Sequence, residues 1–395
     1  MRGRPLQSGT DQIKSGCFSG LRILGFCDHF TESSSGGAEK VTAEIYARLQ
    51  AQGAEVAVLS AVGDRSRGVG SVLGVSTYFV PALDLSRVLN AQVTLAPGLL
   101  AAGRRLIDEF QPQVVHATSV HFQGSIAAAL HARRCRLPLV TTGHVASVEW
   151  LRPTTRAATV AYENTIGRFI LGSSKMVIAV SEEVAVHLGS LGAPSENVRV
   201  VPNGVDHERF TPGSRADAPV EVVFVGRLIQ NKGPADALAA FAAVGPPRAR
   251  LTFVGDGPMR AQLETATKRL ELSSMVRFTG HLNDVSTVLR SAHIFIRPSR
   301  TEGLSLAVLE AMASEMAVLA SDIPANRELV RHGESGLLAS PGDRVDLARQ
   351  LDKLLTDAPL RHALAARGRE RAAQYSWDVC ARETGQVLAD AAGDW

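Results

Sequence analysis

Cysteine is scarce in this chain, with four in 395 residues. The four stand far apart, with no C-x-x-C pair and no Cys/His cluster at zinc spacing. They are Cys17, Cys27, Cys135 and Cys380. A disulfide-stapled mini-protein and a structural zinc site are therefore excluded, and reduced thiols in a cytosolic protein are expected.

An excess of charge of one sign is also missing. Lys and Arg number 42 against 39 Asp and Glu, which leaves a formal net charge of +3. Proteins that bind nucleic acid present a broad basic surface, and this balance provides none. We therefore expect no nucleic-acid partner.

Long apolar runs are absent. The longest stretch without Asp, Glu, Lys or Arg, residues 110–132, is interrupted by Gln, Pro and His, so it cannot cross a bilayer. Residues 1–20 lack the continuous apolar region of a secretory signal, and we expect a flexible tail there. The sequence predicts a cytoplasmic protein.

The sequence does contain many short apolar runs that alternate with segments of helical period, typical of strand–helix units around parallel sheets. A length of 395 residues with 45% hydrophobic content suits about two or three domains. The first series of predicted strands covers 21–27, 55–60, 113–118, 137–142 and 176–181. The second covers 220–226, 250–255, 276–280, 294–299 and 316–321.

These series predict an α/β fold with two Rossmann-like domains. After the tail of residues 1–20, the first domain is expected over 21–205 and the second over 220–375. The Pro- and Gly-rich segment 206–219 suits a linker. Residues 376–395 are predicted to form a last helix whose apolar face could cover either domain. Two open α/β domains leave a cleft at the carboxyl ends of their strands, where ligands of such sheets bind.

Two cations follow the first strand of the second series. Arg227 and Lys232 lie in the short loop of FVGRLIQNKG (224–233). Arg can bind two phosphate oxygens in its planar fork and Lys adds a compact charge, so the pair suits a pyrophosphate. The alternative is a pair of solvated loop cations.

The segment 295–321 places two carboxylates eight residues apart, Glu302 and Glu310. If its helix starts near Leu304, they are separated by up to roughly 12 Å along the axis, about the reach from a hexose to a ribose across a diphosphate. The N–H groups of Gly303, Leu304 and Ser305 would face that diphosphate. The alternative is a helix-entry carboxylate followed by a solvated helix residue.

The first domain contributes two further candidates. Gly36 and Gly37 precede a predicted helix, where backbone can approach a ligand closely; the alternative is an ordinary turn between strand and helix. His144 follows a buried strand and should point toward the cleft; the alternative is a polar residue satisfied within the fold.

Taken together, these segments closely resemble the retaining glycosyltransferases with the GT-B fold, glycosyltransferase family 4 (group 1). The resemblance runs from about Leu21 to the final helix. Besides the segment from Glu302 to Glu310 and the 226–233 loop, it rests on SGGAEK (35–40), VPNGVD (201–206), FVGDGPMRAQLE (253–264) and VRFTGHLNDV (276–285).

The resemblance implies two Rossmann-like domains that face each other across a cleft. It implies that Glu302 contacts the hydroxyls of the donor sugar, Glu310 those of the ribose, and Arg227 with Lys232 the diphosphate. His144 would hydrogen-bond the donor sugar, so His144 and Glu302 are the expected catalytic residues. The loop with the two glycines would lie against the diphosphate and shape the acceptor site.

The implied reaction is retaining transfer of a hexose or N-acetylhexosamine from a UDP- or GDP-linked sugar to a hydroxyl acceptor in a glycan, a lipid-linked intermediate or a small molecule. We expect no cofactor besides the donor substrate, and no metal, because no Asp-x-Asp element occurs. A nicotinamide-dependent dehydrogenase is disfavoured, since no strand is followed by G-x-G-x-x-G. A nucleotide-sugar epimerase of the same fold and a non-catalytic nucleotide-sugar-binding protein stay open. A basic excess over residues 1–213, 20 Lys and Arg against 17 Asp and Glu, permits peripheral contact at the inner face of the membrane.

Overall fold

The computed structural model describes residues 16–31, 37–62, 68–84, 94–149, 151, 153–215, 219–245 and 249–393. These residues form two compact units. The first comprises the described residues up to His144, residues 157–202 and the described residues from Trp377 onward. The second comprises the described residues of Val145–Arg156 and of Asn203–Ser376. Each has its own parallel sheet with helices, which confirms the predicted α/β class.

The strands of the first unit are short and buried. In chain order they are β1 (Arg22–Phe26), β2 (Glu55–Val62), β3 (Gly68–Val72), β4 (Val75–Pro81), β5 (Leu83–Asp84), β6 (Thr94–Leu95), β7 (Val114–Ala117), β8 (Leu139–Gly143), β9 (Met176–Ala179) and β10 (Val198–Val200). Eight of them form one sheet in the order β10-β9-β8-β7-β1-β2-β4-β3, and β5 pairs with β6. The large sheet is parallel except for the pair of β3 and β4.

Helices lie between these strands. They are α1 (Gly37–Ala51), α2 (Leu99–Phe110), α3 (Gln123–Cys135), α4 (Pro153–Tyr162), α5 (Arg168–Ser173) and α6 (Glu182–Ser190). A π-helix, Glu163–Gly167, joins α4 to α5. The helix predicted after the two glycines is α1, which buries Val41, Ile45 and Leu49 at helical spacing on one face.

The second unit repeats this construction. Its strands are β11 (Val220–Val225), β12 (Ala249–Val254), β13 (Val276–Gly280), β14 (Ile294–Arg297), β15 (Ala317–Ser321) and β16 (Leu337–Ala339). Its helices are α7 (Pro234–Val244), α8 (Arg260–Arg269), α9 (Ser286–Ser291), α10 (Leu306–Ala313), α11 (Pro324–Leu329), α12 (Arg344–Thr356) and α13 (Ala358–Ala372).

The second sheet has the strand order of a Rossmann fold. All its neighbours are parallel in the order β13-β12-β11-β14-β15-β16, which is 3-2-1-4-5-6 along the unit. The order reverses between β11 and β14. Ligands of such sheets bind outside the carboxyl ends of the strands at this reversal, so the loops after β11 and β14 are where a site is expected.

Aromatic packing stabilises the second sheet. Phe224 of β11 and Phe253 of β12 have ring centroids 5.5 Å apart, and Phe278 of β13 stacks on Phe253 at 5.0 Å. Phe241 of α7 covers the same core and is fully buried. Burial of a large apolar side chain contributes about 1.5–3 kcal/mol, so this cluster holds the strand ends that carry the loops in register.

The last helix, α14 (Trp377–Ala392), belongs to the first unit. It packs against α1 and buries Trp377, Cys380 and Leu388. Lys175 Nζ donates a hydrogen bond to the carbonyl oxygen of Ala391 at 2.8 Å. The question of which domain this helix covers, left open by the sequence, is thus decided. Among the described residues no helix is both long enough and apolar enough to span a membrane.

Candidate active site

Glu302 is the buried centre of a charged cluster in the second unit. Its side chain is 7% exposed, and its two carboxylate oxygens have different partners. Oε1 accepts hydrogen bonds from Arg297 Nε at 3.0 Å and from Ser299 Oγ at 2.6 Å. Oε2 accepts one from Lys232 Nζ at 2.6 Å. The fold therefore brings together Glu302 and Lys232, which the sequence separates by 70 positions.

The loops that carry this cluster follow β11 and β14 and are joined to each other. The backbone N–H of Arg300 donates to the carbonyl oxygen of Asn231 at 2.8 Å. Gly233 has a φ of 69°, and a Cβ at that position would collide with the carbonyl oxygen of Pro298. Only glycine combines this left-handed backbone with such a close approach, so it keeps the two loops in contact.

Arg297 ends β14 and is held on three sides. Its Nη1 donates to the carbonyl oxygen of Val225 at 2.6 Å, and its guanidinium carbon lies 5.5 Å from the ring centroid of Phe224. Gly226, with a φ of 146°, leaves the space for it, since a Cβ there would collide with Nη1. With a side chain only 6% exposed, Arg297 is a fixed, buried cation.

The charges of the cluster keep Glu302 ionised. Burial alone would raise the pKa of Glu302, but the charges of Lys232 and Arg297, with hydrogen bonds from Lys232 and Ser299, outweigh it and lower the pKa to about 2. The pKa of Lys232 is lowered, chiefly because the group is buried and also because Arg297 and Arg227 carry like charge. A buried ion pair of this kind is strongly destabilised when one partner is removed.

The helix after the Glu302 loop begins later than predicted. It starts at Leu306, and Ser305 is its N-cap, whose Oγ accepts from the N–H of Val308 at 3.4 Å. The predicted start near Leu304 is wrong, because the serine hydroxyl satisfies the first turn from position 305. No described residue accepts a hydrogen bond from the backbone N–H of Gly303, Leu304 or Ser305. These groups thus stay available to a ligand.

Glu310 lies inside this helix and is 7% exposed. The alternative of a solvated helix residue is therefore wrong. Because Glu302 precedes the helix by four residues, the axial separation expected for eight helical residues does not apply to the pair.

Arg227 is exposed on the loop after β11, and a neighbouring loop braces it. The N–H of Leu228 donates to the carbonyl oxygen of Asp256 at 2.8 Å, and the N–H of Met259 donates to that of Leu228 at 3.0 Å. A Cβ at Gly255 would collide with the carbonyl oxygen of Gly226. The segment 255–257 thus packs against the loop that carries Arg227 and leaves the guanidinium group in solvent.

In the first unit, Gly36 lies outside the described residues, and Gly37 is the exposed first residue of α1. His144 follows β8 and is half-buried. Burial lowers the pKa of His144 to about 4, although a hydrogen bond to the Thr118 backbone opposes the shift. At neutral pH its ring is therefore neutral, with one nitrogen engaged by Thr118.

A second histidine, His116, lies near His144 and is held by neighbouring side chains. Its ring lies fully inside the first unit, within 2.8 Å of both Tyr46 Oη and Thr142 Oγ1. Burial, followed by the nearby His144, lowers the pKa of His116 to about 3. Both nitrogens are occupied, so His116 supports the strand ends.

Two features escaped sequence reasoning. Arg297 stands in an otherwise apolar strand, IFIR, and that isolated charge is a usable signal for a buried ion pair. Glu163, at the start of the π-helix, accepts from His121 Nε2 at 2.8 Å and His187 Nε2 at 3.1 Å. No local pattern announces this second cluster, because its members are brought together only by the fold.

Known structures with the same architecture define the class of this fold. Sucrose-phosphate synthase from Thermosynechococcus elongatus matches with a TM-score of 0.76 at 22% identity, over 93% of this chain and 98% of that one. HepE from Anabaena, in complex with UDP and glucose, matches with a TM-score of 0.74 at 18% identity, over 94% of this chain and 100% of that one. The fold is the GT-B fold of glycosyltransferases.

Sequence comparison gives the family. Residues 35–209 match the model of Glycosyltransferase Family 4, and residues 206–371 match that of Glycosyl transferases group 1. The D-inositol 3-phosphate glycosyltransferase of Stackebrandtia nassauensis is 28% identical over 352 residues, which cover 81% of this chain and 78% of that protein. The chain belongs to the group 1, family 4 glycosyltransferases, as the motifs of its sequence predicted.

Proposed function

We propose that this glycosyltransferase transfers a hexose or an N-acetylhexosamine from a UDP- or GDP-linked donor to a hydroxyl acceptor, with retention of the anomeric configuration. The observation that carries the proposal is the buried, ionised Glu302 beside Lys232, at the reversal of a Rossmann sheet. A carboxylate accepts hydrogen bonds from sugar hydroxyls, and the adjacent cation suits a diphosphate. HepE, a structural neighbour, was crystallised with UDP and glucose, ligands of the class proposed here.

The diphosphate is assigned to the edge formed by the two loops. Lys232 and the exposed Arg227 supply positive charge, and the N–H groups of Gly303, Leu304 and Ser305 supply backbone donors. Negative charge grows on the diphosphate as the glycosidic bond breaks. Donors already in place there stabilise the transition state more than the ground state.

The sugar is assigned to Glu302, and the ribose to Glu310. His144 of the first unit is assigned a hydrogen bond with a hydroxyl of the donor sugar; its neutral ring has a nitrogen left to accept one. The acceptor oxygen bonds to the anomeric carbon, the bond to the phosphate oxygen breaks, and the acceptor's proton passes to that departing oxygen on the same face. No side-chain nucleophile takes part in this proposal.

Calorimetric titration with UDP and GDP, side by side at fixed salt and with EDTA, is the first test. We expect micromolar binding of one nucleotide without a metal ion, which would limit the donor to sugars carried by that base. Binding of neither nucleotide would contradict the donor assignment. A product that forms only when acceptor is added would then separate a transferase from an epimerase or a non-catalytic binding protein.

A further inference from the structure

We propose that Arg297 is a positioning residue that keeps Glu302 an oriented carboxylate while Lys232 leaves it for the diphosphate of the donor. The inference rests on the proposed function, because it assumes a diphosphate ligand for Lys232. It starts from a difference between the two oxygens of Glu302. Arg297 and Ser299 hold Oε1, whereas Lys232 alone, among the described residues, holds Oε2.

The two cations differ in how firmly they are held. Arg297 is tied to the Val225 carbonyl, packed over Phe224 and fitted against Gly226, with a side chain 6% exposed. Lys232 has a flexible stem, a side chain 17% exposed, and Glu302 as its hydrogen-bond acceptor. Lys232 can therefore exchange partners, and Arg297 cannot.

This difference sets the cost of binding a donor. If Lys232 were the sole partner of Glu302, its transfer to a phosphate would leave an unpaired carboxylate in a buried site, which is strongly unfavourable. With Arg297 and Ser299 in place, the carboxylate stays paired through Oε1. Oε2 then becomes a free acceptor for a sugar hydroxyl, so one movement of Lys232 prepares both halves of the donor site.

The test replaces Arg297 and measures the affinity for UDP or GDP, which Arg297 is not proposed to contact. Arg297→Leu should weaken binding of UDP or GDP by at least about tenfold, because Lys232 is then retained by Glu302. In a Glu302→Gln background the same replacement should change the affinity little, since a neutral amide does not retain Lys232. Arg297→Lys should recover part of the affinity. Arg277→Leu, an exposed arginine of β13, is the matched control and should leave the affinity unchanged.

A loss of affinity that persists in the Glu302→Gln background would overturn the proposal, because Arg297 would then act on the nucleotide or on the fold directly. Unchanged affinity in Arg297→Leu would overturn it as well. Thermal unfolding of every variant identifies any that fail to fold.

A second measurement needs no nucleotide and separates this inference from the proposed function. In Lys232→Met, the Glu302 carboxyl should still titrate below its ordinary pKa. Carbon NMR measures this titration, and the spectrum of Glu302→Gln identifies the signal of Glu302 by difference. In Lys232→Met with Arg297→Leu, its pKa should rise above the ordinary value, because burial then outweighs the remaining hydrogen bond from Ser299. A carboxyl already neutral in the single variant would show that Arg297 does not hold it, whatever the donor is.

Discussion

At the scale of single residues, Lys232 has two partners, Glu302 in the structure and the diphosphate in the proposed function. It was expected on a diphosphate, and the structure places it on Glu302 at 2.6 Å. Both contacts fit one site if Lys232 pairs with Glu302 until a donor binds and then moves to the diphosphate. The sequence could predict each residue from its motif but not their contact, since Lys232 and Glu302 lie on loops that only the sheet brings together.

Glu302→Gln separates the sugar role from the nucleotide role. The amide keeps the shape and loses the charge, so turnover should fall by about 10²–10³-fold. Affinity for UDP or GDP should be unchanged or tighter, because Lys232 is released. Lys232→Ala is the contrasting variant and should weaken binding of UDP or GDP without a sugar by about tenfold or more. Kinetics and calorimetry measure both effects; full turnover in Glu302→Gln would remove Glu302 from the mechanism.

Glu163 predicts a pH dependence of stability in the first unit. Burial would raise its pKa, but hydrogen bonds from His121 and His187 outweigh it and lower the pKa to about 2, from 4.5. A folded-state pKa below the unfolded one gives stability that is present above pH 4.5 and lost as the pH falls towards 2.

Glu163→Gln should therefore lower the free energy of unfolding by about 1–3 kcal/mol at neutral pH. The difference from the unmodified protein should shrink as the pH is lowered through that window. Denaturant unfolding at a series of pH values measures it. A difference that stays constant down to the lowest pH would mean that the ionised carboxylate is not what stabilises the cluster.

At the scale of elements, apolar runs predicted strands well and missed those of other composition. The ten predicted strands are all present, and none of their ends differs from the prediction by more than two residues. The strands β3 and β4 were missed, because GVGSV and VSTYFVP contain Gly, Ser and Thr and only partly face a core. The other missed strands are β5 and β6, of two residues each, and β10 and β16, of three residues each, which are too short for a period to show.

The last helix offers a test of packing at a glycine. A Cβ on Gly385 of α14 would lie 2.5 Å from Phe18 Cζ and 2.6 Å from Leu49 Cδ2. Gly385→Ala should therefore destabilise the protein, by about 1–3 kcal/mol, through overpacking. Gly189 of α6 has no neighbour within 4 Å of such a Cβ, and Gly189→Ala should be neutral or stabilising by up to about 1 kcal/mol. Equal effects of the two replacements on denaturant unfolding would contradict this packing.

At the scale of the whole molecule, two structural units share one chain, and their boundary is not a simple cut. The chain leaves the first unit after Pro202 and returns to it at Trp377, and the described residues of Val145–Arg156 belong with the second unit. The sequence predicted two α/β halves because their strands are continuous apolar runs. Which unit a segment belongs to depends on contacts between residues distant in sequence, and no local sequence pattern predicts those contacts.

The sequence by itself determined the α/β class and the family, because strand periodicity and loop motifs are local properties. For the same reason it was enough to propose the two segments of the donor site, which carry Glu302 with Glu310 and Arg227 with Lys232. Only the tertiary structure decided that α14 covers the first unit. It also decided that the helix after Glu302 starts at Leu306, and that Arg297 and Lys232 divide the two oxygens of Glu302 between them. The physical reason is common to all three. Burial, capping and ion pairing depend on which groups meet in space, and the order of strands in the sheet sets those meetings.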